Sequence, residues 1–384
     1  MRILIVDDNP TNTIIIREIL KKENYRNTVA VTSAREMFER LGVKNLDAVE
    51  ESGPSDVDLI LLDMMMPEMD GIQACRILQR SEHLREIPII VVTAVGDSNK
   101  LAEALDAGAV DYVTKPINKV ELMARIRLAL RLKLEKDWHR NRDQRIQEEL
   151  KLASLVQNAV LSSPIRDPEV EIEAIYKPSY ELAGDLYSWY SLGEGKYAII
   201  LLDMMGHGIS SSLFCMFISS VLKDTVHTYV KPKKVIQELN RRFIQLHIES
   251  KLIQYYFTAI YLVVDTRRKE IEYINAGHPP ALLFTENKQV VRLDRVGPPV
   301  GLFEGIETDP QILHYEGPGH LVLYTDGLID SQEESVEARQ TRLEEQLNTY
   351  GHDFDREAMS RLFFEETAQR KREDDKCLVW ISLK

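Results

Sequence analysis

The chain has 384 residues, 44% of them hydrophobic, enough for two separately cored domains of ordinary globular composition. A formal net charge of -13 argues against a free-standing nucleic-acid binder, because a phosphate backbone selects a basic face, and it points to protein partners instead. The three cysteines, Cys75, Cys215 and Cys377, have neither disulfide nor metal spacing, which suits a reducing cytosol.

The first run, Met1-Arg2-Ile3-Leu4-Ile5-Val6, is too short for a signal peptide. No later run is expected to reach the length of a membrane span, so a soluble cytoplasmic protein without membrane contact is expected. Strand-like runs at Ile3 to Val6, Val29 to Val31, Leu59 to Leu62, Ile89 to Val92 and Tyr112 to Val113 alternate with amphipathic segments. Such alternation predicts a parallel sheet covered by helices on both faces, with the ligand crevice at the carboxyl ends of its strands. Asp7 and Asp8 follow the first strand, Asp63 the third, Thr93 the fourth and Lys115 the fifth, so acids, a hydroxyl and an ammonium converge there.

This set resembles the receiver domain of two-component response regulators, a doubly wound flavodoxin-like α/β unit with five parallel strands, over residues 1–130. The resemblance implies that Asp63 is the phospho-acceptor and that Mg²⁺ is held by Asp7, Asp8, Asp63 and the carbonyl of Met65. It further implies that Lys115 pairs with the phosphoryl group, that Thr93 and Tyr112 move together as the switch, that Lys115-Pro116 is cis, and that a sensor histidine kinase is the phosphodonor. Gly42 to Asp58 is longer than the compact family pattern, and its Glu51-Ser52-Gly53-Pro54-Ser55 reads as loop in a surface insertion away from the site.

From Lys119 to Ala159 there is no Gly or Pro, and Leu, Arg, Glu, Lys and Gln dominate, which predicts one long helix or two end to end; residues 131–163 form the linker. Ile126, Leu130 and Leu134 recur at four-residue steps. Ile146, Leu150, Ala153, Gln157 and Val160 alternate four- and three-residue steps, the pattern of a coiled-coil seam. Trp138-His139-Arg140-Asn141-Arg142-Asp143 puts polar groups in the middle, so a homodimer is expected whose helices pack at both ends and loosen between. The basic residues from Arg125 to Arg145 are interleaved with Glu135, Asp137 and Asp143 and read as a solvated face.

Residues 164–384 read as strand-rich to Asp203, then two helices near Ser210 to Val226 and Pro232 to Glu249, then strands from Tyr256 to Phe284 and near Val290 to Leu293, Ile312 to Tyr315 and Leu321 to Tyr324. A helical region around Arg339 to Arg370 precedes the last strand, Leu378 to Ile381. Strands grouped on either side of a helix pair predict an α+β sandwich, two antiparallel sheets between helical layers. Within it, the apolar run Ala198 to Leu202 delivers Asp203 into the turn Met204-Met205-Gly206-His207-Gly208. Asp185, Asp326 and Asp374, the last beside Asp375, also sit at strand ends or in short turns. Four such carboxylates brought together would repel by roughly several kcal/mol unless divalent cations neutralised them, which points to a two-metal cage.

These motifs, with Tyr256-Phe257-Thr258-Ala259, Tyr273-Ile274-Asn275-Ala276-Gly277-His278-Pro279-Pro280 and Gly297-Pro298-Pro299-Val300-Gly301-Leu302, resemble the metal-dependent PPM, or PP2C-like, Ser/Thr phosphatases, in their bacterial branch acting on sigma-factor regulators. The resemblance covers about Leu150 to Lys384 and implies the four-layer αββα sandwich. It also implies two Mn²⁺ or Mg²⁺ ions held by Asp185, Asp203, Asp326, Asp374 and the carbonyl of Met204, with Asp185 and Asp203 bridging, and in-line attack by metal-activated water. Its implied substrate is a phosphorylated STAS-type anti-sigma-factor antagonist. His207 and His278 read as turn residues that fix loop geometry rather than as acids. Ala183, Ser188, Met205 and Cys377 depart from the branch pattern; Ser188 replaces an acid and is expected to weaken an outer metal contact, giving low basal activity.

Two function classes follow. One is a response regulator with phosphatase output, switched on at Asp63. The other is a binding module whose phosphatase-like domain holds a partner without turnover, and clustered like charges count against it.

Overall fold

The computed structural model describes residues 1–43, 55–94, 98–246, 255–287, 289–294, 297–329, 336–350, 356–364 and 374–384. The chain forms two compact units, Met1–Ile146 and Gln147–Lys384. Most of the expected insertion, residues 44–54, lies outside the described residues, as do residues 247–249 of the expected second helix of the pair and residues 351–355 and 365–370 of the expected last helical region.

The first unit runs β1 (Ile3–Val6), α1 (Pro10–Lys22), β2 (Thr28–Val31), α2 (Ala34–Arg40), β3 (Leu59–Asp63), α3 (Gly71–Leu78), β4 (Ile89–Ala94), α4 (Ser98–Asp106), β5 (Asp111–Lys115) and the start of α5 (Lys119–Ala159). Its strands pair in parallel in the order β2-β1-β3-β4-β5. The central strands β1 and β3 are buried along their whole length, as continuous apolar strands covered on both faces must be. Leu4, Val6, Ile60 and Leu62 pack toward Met37, Phe38, Cys75 and Leu78 on one face. Ile3, Ile5, Leu59 and Leu61 pack toward Ile16, Leu20, Ile126 and Leu130 on the other. The helices start where the sequence supplies caps: the Asn9 side chain accepts from the Thr11 amide ahead of Pro10, and Asp70 accepts from that of Gln73.

The second unit runs from the end of α5 through β6 (Ile165–Arg166), β7 (Val170–Lys177), β8 (Asp185–Gly193), β9 (Lys196–Met204), α6 (Ile209–Tyr229), α7 (Pro232–Gln245), β10 (Phe257–Asp265), β11 (Glu270–Ala276), β12 (Ala281–Thr285), β13 (Val290–Leu293), β14 (Gln311–His314), β15 (Gly319–Tyr324), α8 (Val336–Tyr350), α9 (Arg356–Phe364) and β16 (Lys376–Leu383). Among the described residues, one antiparallel sheet has the order β14-β11-β10-β9-β8 and the other β13-β12-β15-β16-β7-β6. Alternation along each strand separates three apolar layers. Trp189, Leu201, Leu262, Leu323 and Val379 interdigitate between the sheets. Leu202, Ile200 and Tyr261 meet Cys215, Leu222 and Phe243 of the helix pair on the outer face of one sheet. Phe284, Tyr324 and Trp380 meet Leu343, Leu347 and Met359 on the outer face of the other. This is the αββα sandwich.

Two expectations change here. The helix α6 is long and apolar enough by length and composition to cross a membrane, with a mean hydropathy of 1.3 over its most apolar window, although no such run was expected. Its apolar character has a local cause, because Cys215, Ile218, Leu222 and Val226 fill the layer against the sheet. The second change concerns α5. Of the row read as a dimer seam, Ile146 is exposed, Leu150, Ala153 and Val160 are half-buried and Gln157 is buried, with Val160 packed into the layer beneath the helix pair, while Leu152, Leu155 and Val156 are exposed. Periodicity marks a covered face without saying what covers it.

Candidate active site and receiver site

In the first unit the carboxyl ends of β1 and β3 place Asp7, Asp8 and Asp63 so that their ligand oxygens lie within 4.8 Å of one another. Asp7 and Asp63 are buried and Asp8 is exposed. Lys115, at the end of β5, donates to Asp63 Oδ1 at 2.9 Å and to Asp7 Oδ2 at 3.0 Å. Asp7 is held further by the Asn9 amide and the Asn12 side chain. Burial pushes the Asp63 carboxyl up, and the Lys115 hydrogen bond only partly offsets it. Burial also works against the Lys115 ammonium, but the two carboxylates outweigh it and raise its pKa. Thr93, buried at the end of β4, donates to Met64 Sδ at 3.3 Å, and Met65 stands exposed after Asp63. Tyr112 lies half-buried under the Arg125 guanidinium, and Lys115-Pro116 is cis. The structure thus gathers Asp7, Asp8, Asp63 and Lys115 directly, with Thr93 on the adjacent strand.

The acids of the second unit gather at one end of the sandwich. Asp185 and Asp203 are directly opposite each other across the antiparallel pair β8 and β9. Alternation puts both on the face that carries Leu201 and Trp189 between the sheets. From the other sheet, Asp326 opens a 3-10 turn (Asp326–Leu328) just after β15, and Asp374 and Asp375 lead into β16. Burial grades across the set: Asp185 is 2% exposed, Asp203 intermediate, and Asp326 and Asp374 exposed. Asp203 shares a side-chain hydrogen bond with Asp326.

Burial pushes the Asp185 carboxyl well up, and the Asp203 and Asp375 charges push it further. The same holds for Asp203, first through burial and then through Asp326 and Asp374. Asp185 Oδ2 is buried without a hydrogen-bond partner. A buried carboxylate oxygen left unpaired among like charges is costly, and oxygen donors of this kind suit a hard dication. The residues therefore fit the implied pair of metal ions. Met204 follows Asp203 at the end of β9, its carbonyl oxygen 3.2 Å from where a Gly184 side chain would begin.

The structure also brings in residues that the sequence left unassigned. Asp375 is buried, and its carboxylate accepts from the Gly184 amide at 2.6 Å, the Ser179 amide at 2.7 Å and the Ser179 hydroxyl at 2.8 Å. It is a brace between the two sheets. Thr325 accepts from the Cys377 amide at 3.0 Å and hydrogen-bonds Asp185. Gly184 leaves little room for a side chain, since a Cβ there would lie 3.1 Å from the Gly206 carbonyl oxygen. Its carbonyl accepts from the Met204 amide and the Cys215 thiol. Ser188 is not an outer metal contact: three residues beyond Asp185 on β8, it faces the opposite side and pairs with Tyr190 under the helix layer. His278 is fully buried, its ring bonded to the Thr258 hydroxyl at 2.8 Å and its amide to Asn275, which suits a turn-fixing role. His207 stacks on Tyr180 with ring centres 5.1 Å apart.

A family model described as Stage II sporulation protein E (SpoIIE) matches residues 193–384, and one described as the response regulator receiver domain matches residues 3–127. Phosphoserine phosphatase RsbP of Bacillus subtilis (strain 168) is 42% identical over 182 residues, 47% of this chain and 45% of that protein. Response regulator PleD of Caulobacter vibrioides (strain NA1000 / CB15N) is 35% identical over 142 residues, 37% of this chain and 29% of that protein. This chain thus spans less than half the length of either of these curated relatives. Among solved structures, the SiaA-PP2C domain of Pseudomonas aeruginosa aligns with a TM-score of 0.53 at 18% identity, covering 63% of this chain and 98% of that one, a likeness of fold. With one half of its length matched by that family and the preceding third by receivers, the chain belongs to the SpoIIE family of PP2C-type phosphatases and carries a response-regulator receiver domain before the phosphatase domain.

Proposed function

We propose that the chain is a two-component response regulator whose output is a metal-dependent phosphoserine and phosphothreonine protein phosphatase, switched on by phosphorylation of Asp63. On this reading residues 1–130 receive the signal, 131–163 link, and 164–384 hydrolyse. The observation that carries it is the buried, unpaired Oδ2 of Asp185 among Asp203, Asp326 and Asp375, a set of charges that serves a dication site and gives a passive scaffold nothing. Bound divalent cations supply hydroxide near neutral pH and neutralise the phosphoryl oxygens. Asp185 and Asp203 anchor that site from one sheet, and Asp326 and Asp374 close it from the other on the solvent side, where a phosphoprotein has access. The water oxygen bonds to phosphorus, the bond to the serine oxygen breaks, and that oxygen leaves with a proton.

Likeness to RsbP supports a phosphoserine substrate, proposed as a STAS-type anti-sigma-factor antagonist under partner-switching control of a stress sigma factor. A sensor histidine kinase is the proposed phosphodonor, with Mg²⁺ at Asp7, Asp8 and Asp63. A homodimer is proposed through the exposed apolar residues of α5, now Leu134, Trp138, Leu152 and Leu155.

Two results are expected. Beryllofluoride, an acyl-phosphate mimic at Asp63, raises Mn²⁺-dependent hydrolysis of a phosphoserine protein on the order of tenfold, as an allosteric coupling of ordinary size gives. Turnover that is unchanged by beryllofluoride removes the switch from the proposal. The second concerns pH. Carboxyls whose folded pKa is raised stabilise the fold below the ordinary aspartate range, and that contribution is lost as pH rises through the raised values. Mn²⁺ replaces those protons, so it raises the melting temperature more at about pH 8 than at about pH 5.5. A gain independent of pH would contradict this.

A further inference from the structure

Near the end of α5 one polar side chain is turned inward. Gln157 is 4% exposed, while Leu155, Val156, Asn158 and Ala159 around it are exposed. Its amide grips a single residue on both sides: Nε2 donates to the Ala183 carbonyl at 2.8 Å, and Oε1 accepts from the Ala183 amide at 3.0 Å. That two-sided pairing is what a neighbouring strand provides inside a sheet, and Ala183 lies just before β8 begins at Asp185. The next amide, of Gly184, is taken by Asp375. Successive backbone groups leading into Asp185 are therefore fixed by Gln157 and then by Asp375. Thr325 hydrogen-bonds the Asp185 side chain from the other sheet, but Oδ2 has no hydrogen bond, so the place of the carboxylate depends on this backbone as well.

We propose that Gln157 is a positioning residue for the dication site, setting the place of Asp185 through the Ala183 backbone. The inference rests on the reading that Asp185 and Asp203 hold divalent cations. It assigns part of the site's geometry to the linker helix rather than to the sandwich strands.

The test is calorimetric titration of Mn²⁺ into the full chain, with melting of the metal-free protein alongside. The heat lost in Asp203→Asn identifies the phosphatase site and separates it from uptake at the receiver. Gln157→Met keeps the length of the side chain and removes both hydrogen bonds. It is expected to weaken Mn²⁺ binding at that site roughly tenfold with stoichiometry unchanged, the usual effect of removing an outer support of a metal site. Asn158→Ala, on the exposed face of the same turn, is expected to bind as the native chain does. Native affinity in Gln157→Met, with or without a lowered metal-free melting temperature, overturns the proposal and leaves Gln157 as a packing residue. If Gln157→Met does not fold, Gln157→Glu decides, since it keeps the shape and the acceptor for the Ala183 amide: native Mn²⁺ affinity there overturns the proposal and weakened affinity supports it. Failure of the native chain to show any heat that Asp203→Asn removes would instead contradict the dication reading itself.

Discussion

Asp203→Asn is expected to lower Mn²⁺-dependent phosphoserine hydrolysis by at least roughly 10³-fold while raising the melting temperature of the metal-free protein. The loss follows from position. Asp203 stands opposite Asp185 and shares a hydrogen bond with Asp326, so, like the Asp375 brace, it links the two sheets at the site. Neutralising the charge of a transferring phosphoryl group is worth several kcal/mol, and each ~1.4 kcal/mol is tenfold in rate. The gain in stability follows from repulsion. Burial and then Asp326 and Asp374 push the Asp203 carboxyl up, so at neutral pH its ionised form is disfavoured in the fold. An amide of the same shape removes that cost without opening a cavity. The two readouts, an activity assay and a metal-free melt, move in opposite directions, which a general loss of structure cannot produce. Loss of stability together with activity would mean that Asp203 is a structural acid.

Gly327→Ala is the second large effect. A Cβ at Gly327 would lie 2.1 Å from the Asp375 carbonyl oxygen and 3.0 Å from its carbonyl carbon. Both are backbone atoms at the start of β16, which pairs with β7 and β15, so they yield little. Overpacking of this kind costs about 1–3 kcal/mol and at backbone contacts more. The strain falls on the segment that carries Asp374 and the Asp375 brace. Both the denaturation midpoint and Mn²⁺ affinity are therefore expected to fall, the latter by on the order of tenfold or more. Ala at Gly305, where a Cβ meets nothing within 4 Å, is the matched control with neither effect. Native stability and metal uptake in Gly327→Ala would show that the turn can move away.

Much of the first site was legible in the sequence because parallel α/β units place their chemistry at the carboxyl ends of strands. Asp7, Asp63 and Thr93 could be found by reading one residue past each apolar run, and Lys115 by reading two. Asp203 was legible in the same way. Asp375 was not, since nothing in the pair Asp374-Asp375 says which carboxylate turns inward, and its partners Ser179 and Gly184 are 196 and 191 residues away in the chain. Gln157 was hidden by its neighbours. It fell on a row whose spacing fitted a coiled-coil seam, and only the fold shows that Gln157 and Val160 of that row face the sandwich and that Leu152 and Leu155 face outward. The outer-contact expectation for Ser188 came from the branch pattern alone, whereas an odd offset from Asp185 along a strand puts its side chain on the opposite face.

The proposed activity depends on Asp185, Asp203, Asp326 and Asp374 holding divalent cations between the two sheets. Anomalous diffraction from Mn²⁺-soaked crystals of the full chain tests it most directly. The expected result is a pair of peaks roughly 4 Å apart among those acids, with the carboxylates of Asp185 and Asp203 reaching both. Manganese peaks confined to Asp7, Asp8 and Asp63, with nothing among those four acids, would contradict it.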